Sequence, residues 1–329
     1  NALETELRAM VASPDAVYNA YYGMFLYHLG WTDAKFAAVK TDSGKRIRPL
    51  LCLVTCEAAG GEWRPALPVA AAIELAHNFS LIHDDIEDQS DERRGRAAVW
   101  KVWGLAQGLN AGDGMFVLAR LALDRLRGLP IEKCAALSTI FDQATLALCQ
   151  GQFLDLGFET RLDVTADEYL QMIRGKTAAL ISAAARMGAL LATDDRTIID
   201  AFARFGENIG LAFQITDDIL GIWGDPSVTG KSAATDILSK KKTLPALLGL
   251  NHPASGAALR EIYREQRLQS AHVARVLELL DAAGIRAETQ RRADEFRAAA
   301  HAALDATGIK NRAMDNLREI AEAMTRRVR

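Results

Sequence analysis

Two acidic clusters sit where carboxylates are rarely tolerated. Asp84-Asp85-Ile86-Glu87-Asp88 closes a segment, 67–88, otherwise rich in Ala, Leu and Ile at spacings of three and four. Asp217-Asp218 lies in a second apolar segment, in the run Phe213-Gln214-Ile215-Thr216-Asp217-Asp218. A carboxylate in such surroundings needs a partner. Neighbouring carboxylates also repel and raise each other's pKa. A divalent cation removes both problems. Carboxylates arriving one or two at a time suit Mg²⁺, which keeps its waters and shares a phosphate-bearing ligand. At about 100° per residue, His77, Asp84 and Asp88 fall on one helical stripe with Ser80 between them. Asp85 is turned away, to reach another cation or orient a water. Gln214, Asp217, Asp218 and Gly221 share a face of the second helix. The pattern predicts two aspartate-bearing helices holding a diphosphate through metal ions.

The rest of the chain reads as helix. Segments 115–127, 132–156, 166–192 and 195–220 carry the same three-and-four spacing. Gly60-Gly61 with Pro65, Gly128-Leu129-Pro130 and Ala192-Thr193-Asp194-Asp195 separate them. Period-two runs of β-branched residues are absent. Residues 257–329 alternate Arg and Glu with Ala and Leu, as amphipathic helices on the outside of a bundle would. No low-complexity linker interrupts the chain. The expectation is an all-α single domain over 1–329, with a motif-bearing core at about 44–245 and the aspartate segments on facing helices.

Half of the 329 residues are hydrophobic and the formal net charge is −3, which gives a nucleic-acid partner no global electrostatic support. Cations are concentrated in Lys45-Arg46-Ile47-Arg48, Arg93-Arg94-Gly95-Arg96 and Lys240-Lys241-Lys242. Any one such run is a solvated patch by default. Three beside two acidic clusters suggest anion sites. Cys52 and Cys56 could face one another on a helix, but no matching pair follows at zinc spacing. With only four cysteines, buried reduced thiols in a cytoplasmic protein are expected. No run of about 18 apolar residues is apparent, so no membrane span is expected. No charged-then-apolar leader opens the chain.

These landmarks together resemble the trans-isoprenyl diphosphate synthases, the polyprenyl synthetase family, most closely its geranylgeranyl diphosphate synthases. Gly44-Lys45-Arg46-Ile47-Arg48-Pro49 is similar to the family's GKRxRP signature. Asp84 to Asp88 followed by Arg93-Arg94-Gly95 is similar to its DDxxD and RRG motifs. Lys176-Thr177, the Phe213–Asp218 run, Gly230-Lys231 and Asp236 through Lys241 follow in family order. The resemblance implies an isoprenoid-synthase bundle with a central cavity, about three Mg²⁺ per site, and a homodimer. Helices at about 105–156 are apolar enough to hide a second face. It implies Asp84, Asp88 and Asp217 as metal ligands, with Asp85 and Asp218 close behind. Arg93, Lys176, Lys231 and Lys241 would hold an allylic diphosphate. Lys45, Arg48, His77 and Arg94 would hold isopentenyl diphosphate. Thr177 and Gln214 would line the site near the reacting carbons.

The implied reaction is trans condensation of the two diphosphates. Ionisation needs charge stabilisation on the leaving group, and the carbocation needs a dry lining. His83, about 100° from Asp84, is expected to pack or support rather than to act as acid or base. Phe79 and Ser80, one turn below Asp84, are expected to set product length near that of geranylgeranyl diphosphate, with farnesyl diphosphate as the alternative. One departure stands out. The second motif has Gly221 where its relatives carry a fifth-position aspartate, and Asp225 is too close to Gly224 and Pro226 to replace it. Competing readings are a class I terpene cyclase, which would not need Lys45, Arg48, His77 and Arg94 together, and an idle regulatory subunit, which would be expected to lose ligands from the first acidic cluster.

Overall fold

The computed structural model of the chain describes residues 2–39, 41, 44–224 and 235–325. Residues Asp225, Gly230 and Lys231, singled out above, lie outside them. The chain divides into two compact units, residues 1–142 with 184–194, and residues 143–183 with 195–329. Sequence composition predicts one continuous domain. The divisions fall inside helices at 142/143 and 183/184, where no linker could announce them.

The first unit contains α1 (Ala2–Met10), α2 (Asn19–His28), α3 (Ile47–Ala58), α4 (Leu67–Glu87), a two-residue hairpin of β1 (Glu92–Arg93) and β2 (Arg96–Ala97), α5 (Val99–Trp103) and α6 (Leu105–Leu123). Helix α4 is its spine. Pro68 sits in the first turn, where its missing N–H costs nothing. Val69, Ala70, Ile73, Leu75, Ala76 and Ile82 are all but fully buried. α4 packs along α6 and α3. The eighteen-residue window of α4 and its preceding turn passes a length-and-hydropathy test for a membrane span, against expectation, but 72% of it is buried inside the protein. It behaves as a core helix that ends in aspartates.

Helix α6 begins ten residues earlier than the predicted 115. Three glycines, at 108, 112 and 114, make its first half look like a breaker-rich loop. They are contact notches instead. At Gly112 an added Cβ would lie 2.1 Å from the His83 Nε2. Tertiary packing of α4 on α6 overrides the low helix propensity.

The long α7 (Ile131–Phe158) carries the chain into the second unit. There follow α8 (Ala166–Ile173), a five-residue π-helical turn (Arg174–Ala178), α9 (Ala179–Ala192), α10 (Arg196–Trp223), α11 (Thr235–Leu238), α12 (Leu244–Leu250), α13 (Gly256–Arg264), α14 (Ser270–Ala282), α15 (Ile285–Asp305) and α16 (Arg312–Thr325). Asp195 caps α10 by accepting from the Thr197 and Ile198 N–H groups. Thr165 and Glu168 form a reciprocal capping box at α8. α10 buries Phe202, Phe205, Ile209, Ile215 and Ile219 and runs beside α15. None of the four cysteines is in a disulfide, and Cys52 and Cys56 are buried. Burial pushes both thiols up, that of Cys56 to about 11.

Within the second unit α7 meets the π-turn backbone to backbone. A Cβ at Gly151 would stand 2.1 Å from the Lys176 backbone nitrogen, whereas one at Gly157, further along α7, would meet nothing within 4 Å. Gly151→Ala should therefore destabilise the protein by about 2 kcal/mol or more through overpacking. Gly157→Ala should be neutral or stabilising by about 0.5–1 kcal/mol. Denaturant midpoints measure both, and equal midpoints for the two variants would contradict the close approach.

Candidate active site

In the first unit the acidic end of α4 is answered by the hairpin that follows it. Arg94 and Gly95 both have positive φ, 54° and 70°, as a two-residue hairpin turn of primed type requires. The turn folds Arg93 back onto the helix. Its Nε donates to the Asp85 Oδ1 at 2.9 Å and its Nη2 donates to the same oxygen at 2.5 Å. Asp85 is 1% exposed, so burial pushes its carboxyl up while Arg93 pulls it down. Its Oδ2 has no hydrogen-bond partner among the described residues. Thus Asp85, turned away from Asp84 as the helix geometry requires, is engaged by an arginine. Asp84 is half-buried and Asp88 exposed, one turn apart on the other stripe.

A cationic cluster stands beside this stripe. Arg48 Nη1 lies 3.4 Å from His77 Nε2. Burial, then the charges of Arg48 and Arg94, hold His77 well below its ordinary value, so it is neutral at pH 7. His28, beneath, is pushed down to about 3 by burial and by Arg94 and Arg93. Arg46, which the sequence reading passed over as a site residue, has left-handed backbone geometry, φ 48°, and two buried guanidinium nitrogens without a partner among the described residues. Buried Glu74, bonded to Asn78 at 3.1 Å, is a carboxylate within reach of Arg46, Arg48 and Arg94. Lys45 is exposed. Cations that crowd together in this way are suited to an anion.

Below Asp84, Phe79 is 6% exposed and packs against Phe116 of α6, ring centroids 5.1 Å apart, and edge-on against His83. Ser80 is buried and donates its hydroxyl to the His77 carbonyl. His83 lies 3.2 Å from the Leu109 carbonyl oxygen and 3.6 Å from Asp113, a packing position.

In the second unit a cleft gathers Lys176, Thr177, Gln214, Asp218 and Lys241. The π-turn, a feature common at functional sites, presents Lys176 and Thr177. Lys176 Nζ donates to the Asp155 Oδ2 at 2.5 Å. Asp155 was not among the sequence candidates. Its signal was a carboxylate one helical turn beyond Gly151 on an apolar stretch of α7. Thr177 donates to the Gln214 Oε1 at 2.8 Å, and the Gln214 amide donates to the Asp218 Oδ1 at 3.1 Å. The Asp218 Oδ2 accepts from the Tyr169 hydroxyl at 2.5 Å and the Leu244 N–H at 2.9 Å. Asp217 is half-buried on the adjoining side of α10. The run 240–242 is not a solvated patch. Lys242 is 4% exposed and donates to the Glu159 carbonyl at 2.9 Å, while Lys241 is exposed at the cleft.

Among the described residues no three His, Cys, Asp or Glu side chains are gathered into a ready metal cage. Mg²⁺ binds through one or two carboxylates and completes its shell with water and phosphate oxygens. The hard oxygens of Asp84, Asp88 and Asp217 match this demand. Asp85 and Asp218 are engaged by protein donors.

A family model for polyprenyl synthetase matches residues 31–280. The (2E,6E)-farnesyl diphosphate synthase of Mycobacterium tuberculosis is 44% identical over 263 residues, 78% of this chain and 72% of that protein. The geranylgeranyl diphosphate synthase of the same organism is 42% identical over 282 residues, 84% and 79% of the two chains. Among solved structures, a polyprenyl synthetase from Streptomyces coelicolor superposes with a TM-score of 0.89 at 34% identity, covering 98% of this chain and 96% of the other.

Asp218 supplies a test of the second cleft. Burial pushes its carboxyl up to about 6, against Lys241 and three donors. Stabilisation tied to that proton is complete below about pH 4 and is lost as pH rises through about 6. The stability of the wild type relative to Asp218→Asn should therefore fall by up to about 3 kcal/mol between about pH 4 and 6, then level off. Denaturant titrations across pH measure this, and a flat difference would mean an unshifted Asp218.

Proposed function

The chain belongs to the polyprenyl synthetase family and is a trans-prenyl diphosphate synthase; we propose that it joins isopentenyl diphosphate to allylic diphosphates to make chiefly geranylgeranyl diphosphate, with twenty carbons. The observation that carries condensation rather than cyclisation is the pair of cations Arg48 and Arg94 gathered around neutral His77 beside the first acidic stripe. An enzyme that only ionises one diphosphate has no use for a second anion site.

The residues divide the work as follows. Asp84, Asp88 and Asp217 would hold Mg²⁺. Bound Mg²⁺ would supply electrostatic stabilisation to the leaving diphosphate. Lys176, Lys241 and Arg93 would add positive charge at the same oxygens, with Lys231, outside the described residues, as a further candidate. Arg93 and Lys176 each keep a carboxylate, Asp85 and Asp155, that orients them. A charged donor held in place in advance costs no reorganisation when charge develops. Arg48, Arg94, Lys45 and neutral His77 would hold isopentenyl diphosphate. Thr177 and Gln214, tied to Asp218, would line the reacting carbons. Released diphosphate is the base we assign for the final proton loss.

Product length rests on Phe79. One helical turn rises about 5.4 Å, close to one extended isoprene unit. The Phe79 ring, backed by Phe116, would close the floor one turn below Asp84, while Ser80 leaves room beside it. Farnesyl diphosphate is the second reading, favoured by the farnesyl diphosphate synthase among the relatives. We also assign a homodimer. Leu105, Leu109, Val117 and Leu121 are exposed at multiples of four along α6, an apolar face that a second copy would cover. Cysteines outside any disulfide suit the cytoplasmic setting we assign.

Arg48→Ala should raise KM for isopentenyl diphosphate alone. A rise in KM for the allylic primer instead would reverse the two sites. Phe79→Ala should lengthen the product and Ser80→Phe should shorten it. Unchanged products in both variants, read by chromatography of the dephosphorylated alcohols, would place the length determinant elsewhere.

A further inference from the structure

Two separate segments of the first unit bring cations to His77. The connection from α2 to α3 leads into Lys45 and Arg48, and the hairpin after α4 carries Arg94. Arg96, on β2 and half-buried, joins these segments. Its Nη1 donates to the Tyr27 carbonyl at 3.0 Å and to the Thr41 hydroxyl oxygen at 3.3 Å. Its Nη2 donates to the Thr32 carbonyl at 2.6 Å. The guanidinium carbon lies over the Tyr27 ring, 4.0 Å from its centroid, a cation–π contact. Tyr27 also returns a bond to the hairpin, its hydroxyl donating to the Ala97 carbonyl at 2.8 Å.

The connection is bonded to itself, so holding part of it holds the rest. Thr32 and Ala38 form a β-bridge. The Val39 N–H donates to the Trp31 carbonyl at 3.0 Å, and the Thr41 hydroxyl donates to the Gly30 carbonyl at 3.0 Å. Phe36 stacks on Trp103, ring centroids 5.7 Å apart, and Tyr27 meets the same indole edge-on at 4.9 Å. An arginine bonded at both Thr32 and Thr41 therefore fixes where the connection ends. Three residues beyond Thr41, Gly44 has φ 79°, and a Cβ added there would stand 3.0 Å from the Arg94 Nη2. The Arg94 guanidinium thus lies against the first residue of the Gly44–Pro49 motif. The acceptors of Arg96 are two carbonyls and a hydroxyl, so the link brings no carboxylate to compete with an anion. A planar fork that serves several fixed acceptors is a task for arginine, whereas lysine offers a single flexible ammonium.

Resting on the assignment of Lys45, Arg48, His77 and Arg94 to isopentenyl diphosphate, we propose that Arg96 is a positioning residue for that substrate. It clamps the α2–α3 connection to the hairpin, so that Lys45 and Arg48 from one segment and Arg94 from the other stand in register before the diphosphate arrives. Arg96 acts through these residues and not by contact with the diphosphate. Groups ordered in advance lose less freedom on binding. Arg93 is tied to α4 by Asp85, a separate anchor, so the allylic diphosphate lies outside the reach of the clamp.

Steady-state kinetics of the full chain with Mg²⁺, each diphosphate varied in turn, test the clamp. Arg96→Ala should raise KM for isopentenyl diphosphate about 10- to 100-fold, the scale of misplacing a binding group by about 1 Å. It should leave kcat and the allylic KM within about threefold of wild type. Arg96→Lys keeps the charge without the fork and should stay within about threefold of Arg96→Ala. In an Arg94→Ala background, Arg96→Ala should raise KM by a clearly smaller factor than it does alone, because residues that act together are not additive. A wild-type KM in Arg96→Lys, equal losses for both substrates, or factors that simply multiply in the double variant would overturn the proposal. If Arg96→Ala does not fold, Tyr27→Phe carries the test. It removes only the bond to Ala97 and should raise the same KM about threefold, roughly the worth of one hydrogen bond; an unchanged KM there would overturn the clamp. Arg94→Ala separates the levels. If it leaves KM for isopentenyl diphosphate unchanged, the reading of the cationic cluster fails and this proposal with it. If Arg94→Ala raises that KM and Arg96→Ala does not, the reading stands and only the clamp falls.

Discussion

Asp85 sits almost fully buried on the apolar spine of the first unit, and Arg93 makes that possible. A buried charge survives only when a partner of excellent geometry offsets its desolvation. The hairpin turn at Arg94-Gly95 exists to return Arg93 to the helix. The same turn brings Arg94 near His77 and Arg48. One ion pair therefore orders the acidic stripe and the cationic cluster together. The second unit repeats the logic with different parts. Asp218 is buried among Tyr169, Gln214 and the Leu244 N–H, and Lys176 is held by Asp155.

Much of this was legible in the sequence because the acidic residues violate the pattern around them. Carboxylates at 84, 88 and 217 on apolar segments announce themselves, and the spacing of α4, α7 and α10 reads correctly within a few residues. What stayed hidden depended on contacts between distant segments. The first half of α6 was masked by glycines that give room to Trp100 at Gly108, His83 at Gly112 and Tyr21 at Gly114. Asp155 carried too weak a local signal to stand out, since its partner lies 21 residues away. The division into two compact units falls within helices and leaves no compositional trace. Gly221 read as a missing carboxylate because sequence spacing cannot show that the Asp236 carboxyl group lies against it.

The cations are not interchangeable surface charge. Lys242 is an internal staple to the Glu159 carbonyl, Lys241 faces the cleft, and Arg46 is held in a left-handed conformation at the start of α3. Backbone strain of that kind persists where surrounding structure enforces it. Neutral His77 among arginines follows first from its burial and then from the same crowding, since a further positive charge there would add to the repulsion.

The central claim is that the two acidic motifs and the cationic cluster serve one condensation between two diphosphates. The most direct measurement incubates the purified chain with isopentenyl diphosphate and each allylic primer, with Mg²⁺ or with EDTA, and identifies every product. Linear all-trans diphosphates lengthened by isoprene units, formed with Mg²⁺ and abolished by EDTA, are the predicted result. Cyclic hydrocarbons formed without consumption of isopentenyl diphosphate, or undiminished elongation in EDTA, would contradict it.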